Sequence, residues 1–164
     1  MHPAAKIAVT AIAIAIGAGV YPLIARTQAQ PHDMATPRSA AVDARQLVKF
    51  PEPMRLHTIT SMRDHLQALQ EINAALSQNA FEQAASIAEQ RLGMSSLERH
   101  DAAHLAPYMP KAMQDIGTQM HRSASQFAVE VQNASVSNDI RPALGALATV
   151  MRQCVACHGA YRLH

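Results

Sequence analysis

The sequence predicts an all-α fold, an antiparallel four-helix bundle about 115 residues long, on three observations. Apolar residues recur at threes, fours and sevens from residue 50 to the end. No stretch shows sustained period-two alternation, so no sheet is expected. Proline, Asn and Gly punctuate the chain where helices would start and stop. With 49% hydrophobic and 16% charged residues a packed core is within reach. Aromatics are only 4%, with no Trp, so core volume has to come from Ala, Leu, Ile, Met or a non-protein group. A net charge of +2 without basic runs argues against nucleic-acid binding. Two cysteines rule out a disulfide framework or a four-cysteine zinc site. The chain has neither a Gly-rich phosphate loop nor a nucleophile elbow, and no acid/base constellation stands out, so enzyme activity is not expected.

Residues 7–25 carry no charge and follow the single Lys6. They read as a secretory signal within residues 1–29, with Thr27-Gln28-Ala29 as cleavage site, or as an uncleaved membrane anchor, 19 residues being close to the ~20 a span needs. Both readings put the rest of the chain in the periplasm, either free or held at the inner membrane. Residues 30–49, with Pro31 and Pro37 and no helical period, read as a flexible linker.

The bundle is assigned to residues 50–164. Pro51 and Pro53 mark the start of a first helix. Ile59, Met62, Leu66, Leu69 and Leu76 form its apolar stripe, and it should end near Ser77-Gln78-Asn79. His57 and His65 fall off that stripe. Phe81, Ala84, Ala85, Ala88 and Leu92 carry a second helix that stops at Gly93. Ser95 and Glu98 have capping-box spacing. A loop with Pro107 and Pro110 leads to a third helix over 110–133, with Met113, Ile116, Met120, Ala124, Phe127 and Val131 on one stripe. Asn138-Asp139 offers an N-cap for a fourth helix. It has Pro142 in its first turn and runs through Leu144, Leu147, Val150, Met151 and Cys154 to the C-terminus.

Cys154-Val155-Ala156-Cys157-His158 is the motif that carries chemistry. Cysteines at i and i+3 lie on one side of a helix, where their thiols can add to the two vinyl groups of one haem, and the next residue supplies an imidazole for the iron. Three other uses of these residues each lack something. A thioredoxin-like redox pair needs a strand–helix setting, an i,i+3 disulfide is awkward within a helix, and a zinc site needs a further ligand. His100 and His104, four apart with Asp101 between them, form a second candidate metal pair, and the Met109, Met113, Met120 stripe reads as core.

The closing segment Cys154-Val-Ala-Cys157-His158-Gly-Ala-Tyr161-Arg162 resembles that of cytochrome c-prime and its low-spin class II relatives. Arg55 followed by Ile59, Met62, Leu66 and Leu69 is similar to that family's first helix. The resemblance covers residues 50–162. It implies one covalent haem c on Cys154 and Cys157, with His158 as axial iron ligand, Arg162 near a propionate or the exposed edge of the imidazole, and Arg55 near a propionate. In low-spin relatives a Met four residues after the helix-A Arg binds iron, and that position is Ile59 here. An apolar Ile59 on the distal face implies an open sixth site, whereas Met62, one turn on, is the alternative sixth ligand, with Met54, His57, His65 and His121 as further distal candidates. Two functions follow: a periplasmic one-electron carrier with protein redox partners, or a five-coordinate haem protein that binds nitric oxide or carbon monoxide as buffer or sensor. Homodimers are frequent in that family.

Overall fold

The computed structural model describes residues 42–164, and these are mostly helical. The apolar stretch 7–25 and the first part of the proline-bearing tract lie outside the described residues.

The order of elements is β1 (Gln46–Val48), α1 (Glu52–Ser77), α2 (Phe81–Ile87), α3 (Ala102–Leu105), α4 (Lys111–Ser137), α5 (Arg141–Ala160) and β2 (Tyr161–Leu163). A π-helical turn, Ala88–Leu92, continues α2, and 3-10 turns occupy Met94–Ser96 and Ala106–Tyr108. Among the described residues, no helix is long and apolar enough to cross a membrane.

Local chemistry sets the helix ends. Pro51 precedes α1 with φ −54° and ψ 145°, and Glu52 favours the positive end of the helix dipole. At the other end Ala80 N–H donates to Ala75 O (2.9 Å) and Asn79 N–H to Leu76 O (3.1 Å). Asn79 is left-handed at φ 57°, so this is a Schellman closure with Asn where Gly is commonest. Both predicted boundaries, at Pro51 and at 77–79, hold. The second predicted segment also stops at Gly93, but its last five residues form the π-turn instead of α-helix. Ser95 does not close a capping box, because its hydroxyl donates to Glu89. α4 runs four residues past the expected 133, to Ser137, before Asn138 turns left-handed at φ 55°. Asp139 accepts from Arg141 N–H (3.0 Å) at the start of α5.

The main core is shared by α1, α2 with its π-turn, α4 and α5. Many of its members are alanines (Ala68, Ala84, Ala88, Ala124, Ala143), all fully buried, which let helices approach closely. Phe127, Ile72, Leu92, Val131 and Val150 supply the bulk. α4 packs along α5 and α2, and α2 along α1.

Two expectations need correction. The first concerns the sheet: β1 pairs in parallel with β2, in the register Gln46 with Tyr161, Leu47 with Arg162 and Val48 with Leu163. β2 therefore ends the last helix at Ala160, short of the C-terminus, and β1 occupies the end of the stretch read as linker. Three-residue strands are too short to show an alternation. This pair is held by a second small cluster of Val48, Phe50 and Leu105, with Met54, Met109, Met113, Tyr161 and Leu163 packed on it. The second correction concerns the face of α1. Its buried residues are Thr58, Ser61, His65, Ala68, Ile72, Ala75 and Leu76. Met62 and Leu66 of the predicted stripe are 40% and 70% exposed. The core thus takes a partly polar stripe, and the more apolar one is left beside a set of cavities.

Candidate functional site

Three adjoining cavities, of 260, 290 and 120 Å³, meet between α1, α4 and the C-terminal half of α5, and Met62 and Cys157 line all three. The first lies between Cys154, Cys157 and His158 on one side and Met62, Leu66 and Leu69 on the other, with Ile116 and Gly117 as its floor. Cys154 to His158 fall in the last turns of α5, which puts both thiols on the cavity side while Val155 and Ala156 face outward. A methyl group built on Gly117 would meet nothing within 4 Å, so the α4 wall is open at that level.

Both cysteines are free and half-buried. Burial raises the pKa of each thiol, and the neighbouring Cys154 raises that of Cys157 further. Cys154 Sγ lies 3.7 Å from Val150 O, its acceptor. These are protonated thiols, not the activated thiolate of a redox-active pair, which agrees with the helical setting.

The second cavity is the charged one. Arg45 and Arg162 line it together with His158, Tyr161 and Met113. The β1–β2 pairing brings the two arginines together from opposite ends of the chain. Arg45 forms a bidentate pair with Asp43 (2.9 and 2.7 Å) and donates through Nη1 to His158 O (3.2 Å). That pairing holds the Asp43 carboxyl down at about 2. Arg162 Nε is 3.6 Å from Asp43 and has no hydrogen-bond partner among the described residues, although the atom is buried. Two guanidiniums beside a cavity make an anion-binding wall suited to carboxylates. The sequence reading missed Arg45, because nothing local marks a residue in a proline-bearing tract as the partner of a strand at the other terminus.

The other predicted site residues are placed as follows. Met62 lines every part of the crevice. Ile59 is half-buried and lies outside all three linings. Arg55 is turned to Glu52, with contacts of 2.7 and 2.6 Å, and is not in the charged wall. His100 and His104 are not brought together: His104 pairs with Asp101 at the surface, whereas His100 is buried.

His100 instead meets His65 of α1 and His121 of α4, at ring-centroid distances of 4.5 and 5.4 Å. All three rings line the third cavity. Burial, followed by mutual repulsion, lowers His65 and His100 to about 4, and burial lowers His121. The periodicity of Thr58, Ser61, His65, Ala68 and Ile72 is as regular as that of the apolar stripe. Its polar members keep it from reading as core, so the sequence offers His65 and His121 as distal-ligand candidates but not their meeting with His100.

Compared with protein-family models, with curated proteins and with solved structures, the chain matches none.

Proposed function

We propose that this chain is an exported one-electron carrier holding a single haem c, in an antiparallel four-helix bundle of the cytochrome c-prime type. The observation that carries the reading is the place of the Cys154-Val155-Ala156-Cys157-His158 run. It sits at the end of α5, and its two thiols and imidazole all line one slot whose α1 wall is apolar apart from His65. The residues fit such a group in three respects. The thiols are free and unbridged, as thioether formation with vinyl groups requires. The adjoining cavities approach the few hundred Å³ typical of cofactor sites. The orphaned Arg162 Nε and the neighbouring Arg45 offer positive charge where propionates need it.

When bound, the haem supplies reversible one-electron chemistry at iron. The chain's own residues fix its setting. Cys154 and Cys157 would tether it from one helical face, and His158 would offer a nitrogen to the iron. Arg45 donates to the His158 carbonyl, which steadies the last turn of α5. Met62, Leu66 and Leu69 exclude water from the opposite face. Arg45 and Arg162 stabilise negative charge at the edge.

Met62 is the proposed sixth ligand, since it lines the crevice throughout and Ile59 lies outside it. This favours electron transfer over the second reading, gas capture at an open iron. The test is to express the full chain in a host that attaches haem c and to record mass and spectra in both oxidation states. We expect a covalent mass increase of one haem and a low-spin oxidised spectrum that carbon monoxide leaves unchanged after reduction. A colourless protein with the polypeptide's own mass overturns the proposal. A high-spin haem that takes up carbon monoxide transfers it to gas binding.

A further inference from the structure

The proposed electron carrier assigns no role to the three buried imidazoles, although His65 also lines the slot beside Cys154 and Cys157, and their hydrogen bonds are those of an oriented ligand set. Ser96 Oγ donates its only proton to Gly93 O (2.7 Å). Toward His100 Nδ1, 3.3 Å away, it must therefore accept, and this fixes the proton of His100 on Nδ1. His121 Nδ1–H donates to Leu92 O (2.8 Å). Both rings thus present an unprotonated Nε2 and are held from behind by oxygen acceptors, the arrangement that orients metal-bound histidine. His100 Nε2 lies 3.2 Å from His65 Nε2. Two nitrogens bound tetrahedrally at 2.0–2.1 Å stand about 3.3 Å apart, so the pair is already at ligand spacing.

No group of three or more His, Cys, Asp or Glu side chains among the described residues is arranged to hold an ion, so the pair must be completed by another ligand type. The cavity beside it supplies one: Met62, Met109, Met113 and Met120 all line it. Met113, Gly117 and Met120 share one face of α4, and the missing side chain at Gly117 leaves room between the two thioethers.

We propose that His65 Nε2 and His100 Nε2, together with a methionine thioether from α4, form a binding site for one cuprous ion. Thioether sulfur selects the soft monovalent ion over zinc, calcium or magnesium. A single charge is also the least costly cation to bury, and Asp64 acts electrostatically on both imidazoles. Binding through His65 Nε2 moves that ring's proton to Nδ1, so the imidazole stays neutral. His65, Gly117 and Met120 also line the slot proposed for the haem, so the two sites adjoin, and the copper site is tested on chain without haem.

The full chain, with any free thiols alkylated so that Cys154 and Cys157 cannot compete, is titrated anaerobically with copper(I) against a coloured cuprous chelator. We expect one equivalent to be withdrawn. The double variant His65→Gln/His100→Gln should lose this binding. Ser96→Ala should weaken it at least tenfold, since it releases the orienting hydrogen bond. His104→Ala, at the surface, should bind as the unaltered chain does. Failure of the alkylated chain to withdraw copper overturns the site, as does unchanged binding by a helical double variant. Should the double variant unfold, X-ray absorption of the copper-loaded Cys154→Ser/Cys157→Ser chain decides, since methionine is then its one source of sulfur. Imidazole nitrogen together with sulfur around copper supports the site, and a shell lacking either overturns it.

Discussion

Arg45 Nη1 donates to the main-chain carbonyl of His158 over 3.2 Å, joining the residue just before β1 to the residue proposed to bind iron. The carbonyls of a helix's last turn have no partner within the helix, and a guanidinium is a strong donor for one of them. Arg45 is itself held by Asp43, so the contact is supported from both sides.

The first prediction concerns that contact. Arg45→Ala removes the donor to His158 and half of the positive wall of the second cavity, while the Val48, Phe50 and Leu105 cluster still anchors β1. Amide exchange of β2 should quicken while α4 is unchanged. In haem-loaded protein the reduction potential should fall by on the order of tens of mV, because a nearby positive charge favours the reduced, less positive centre. Arg162→Ala should move the potential in the same direction. Arg55→Ala, which breaks a pair with Glu52 outside the crevice, should leave it unchanged. Protein-film voltammetry reads all three.

A second prediction separates Met62 from Ile59. If Met62 supplies the sixth ligand, Met62→Leu should convert an oxidised low-spin spectrum to high-spin and let the reduced form bind carbon monoxide. Ile59→Ala lies outside the cavity linings and should leave spin state and carbon monoxide behaviour as they were. The opposite pattern would put Ile59 on the distal face, as the family resemblance implies.

How much of this was legible in the sequence differs from element to element. The ends of α1 were, because Pro51 and Asn79 act through their own backbone geometry. The convergence of Cys154, Cys157 and His158 on one cavity was, because their spacing puts them on one face of a helix. The burial of α1 was not. Its apolar stripe and its Thr58, Ser61, His65, Ala68 stripe have the same period, and which one enters the core depends on what α4 and the loop before it offer in return. His65 is buried because His100 and His121 meet it, and His100 comes from a segment without any helical period. Arg45 lies in the same class. Its role depends on a parallel strand pairing between the two ends of the described chain, which no local pattern encodes.

The turn at Gly93 gives a third prediction. A Cβ there would come within 2.8 Å of Glu89 O and closer still to the Glu89 carboxylate. The side chain can move, but the carbonyl belongs to the π-turn. Gly93→Ala should cost about 1–3 kcal/mol by forcing that backbone apart. The same shift would disturb Leu92 O and Gly93 O, which orient His121 and Ser96. Urea denaturation should show the loss, and the variant should also bind copper(I) more weakly.

The fourth prediction follows from Arg91, which reaches from the π-turn to two acidic residues of α1. Its guanidinium contacts Asp64 and Glu71, each at 2.5 Å, and only 16% of its side chain is exposed. Asp64 is held below the usual carboxylate range, chiefly by that hydrogen bond. Arg91→Ala leaves both carboxylates without their partner and the π-turn without its tie to α1. A loss of about 1.5–3 kcal/mol is expected, the scale of hydrogen bonds to charged groups. Arg91→Lys should recover only part of it, since one ammonium cannot reproduce the fork.

The histidine trio makes stability depend on pH in a definite direction. In the folded chain His65 and His100 take up protons only near pH 4, because burial and the neighbouring rings oppose their charge, and His121 is lowered by burial. In the unfolded chain the same side chains protonate near pH 6.5. Between these values the unfolded state binds more protons, so stability rises with pH and is lost as pH falls from about 6.5 toward 4. Asp64 opposes this shift at His65 and His100, while Arg91 and Arg99 reinforce it at one ring each, so the rings should not titrate alike. Thermal unfolding of metal-free protein between pH 7.5 and pH 4.5 should show a falling midpoint. In His121→Phe, which keeps a ring but removes one titrating group, the midpoint should fall less steeply. An equal slope in that variant would mean that His121 does not contribute and that the acid sensitivity arises elsewhere.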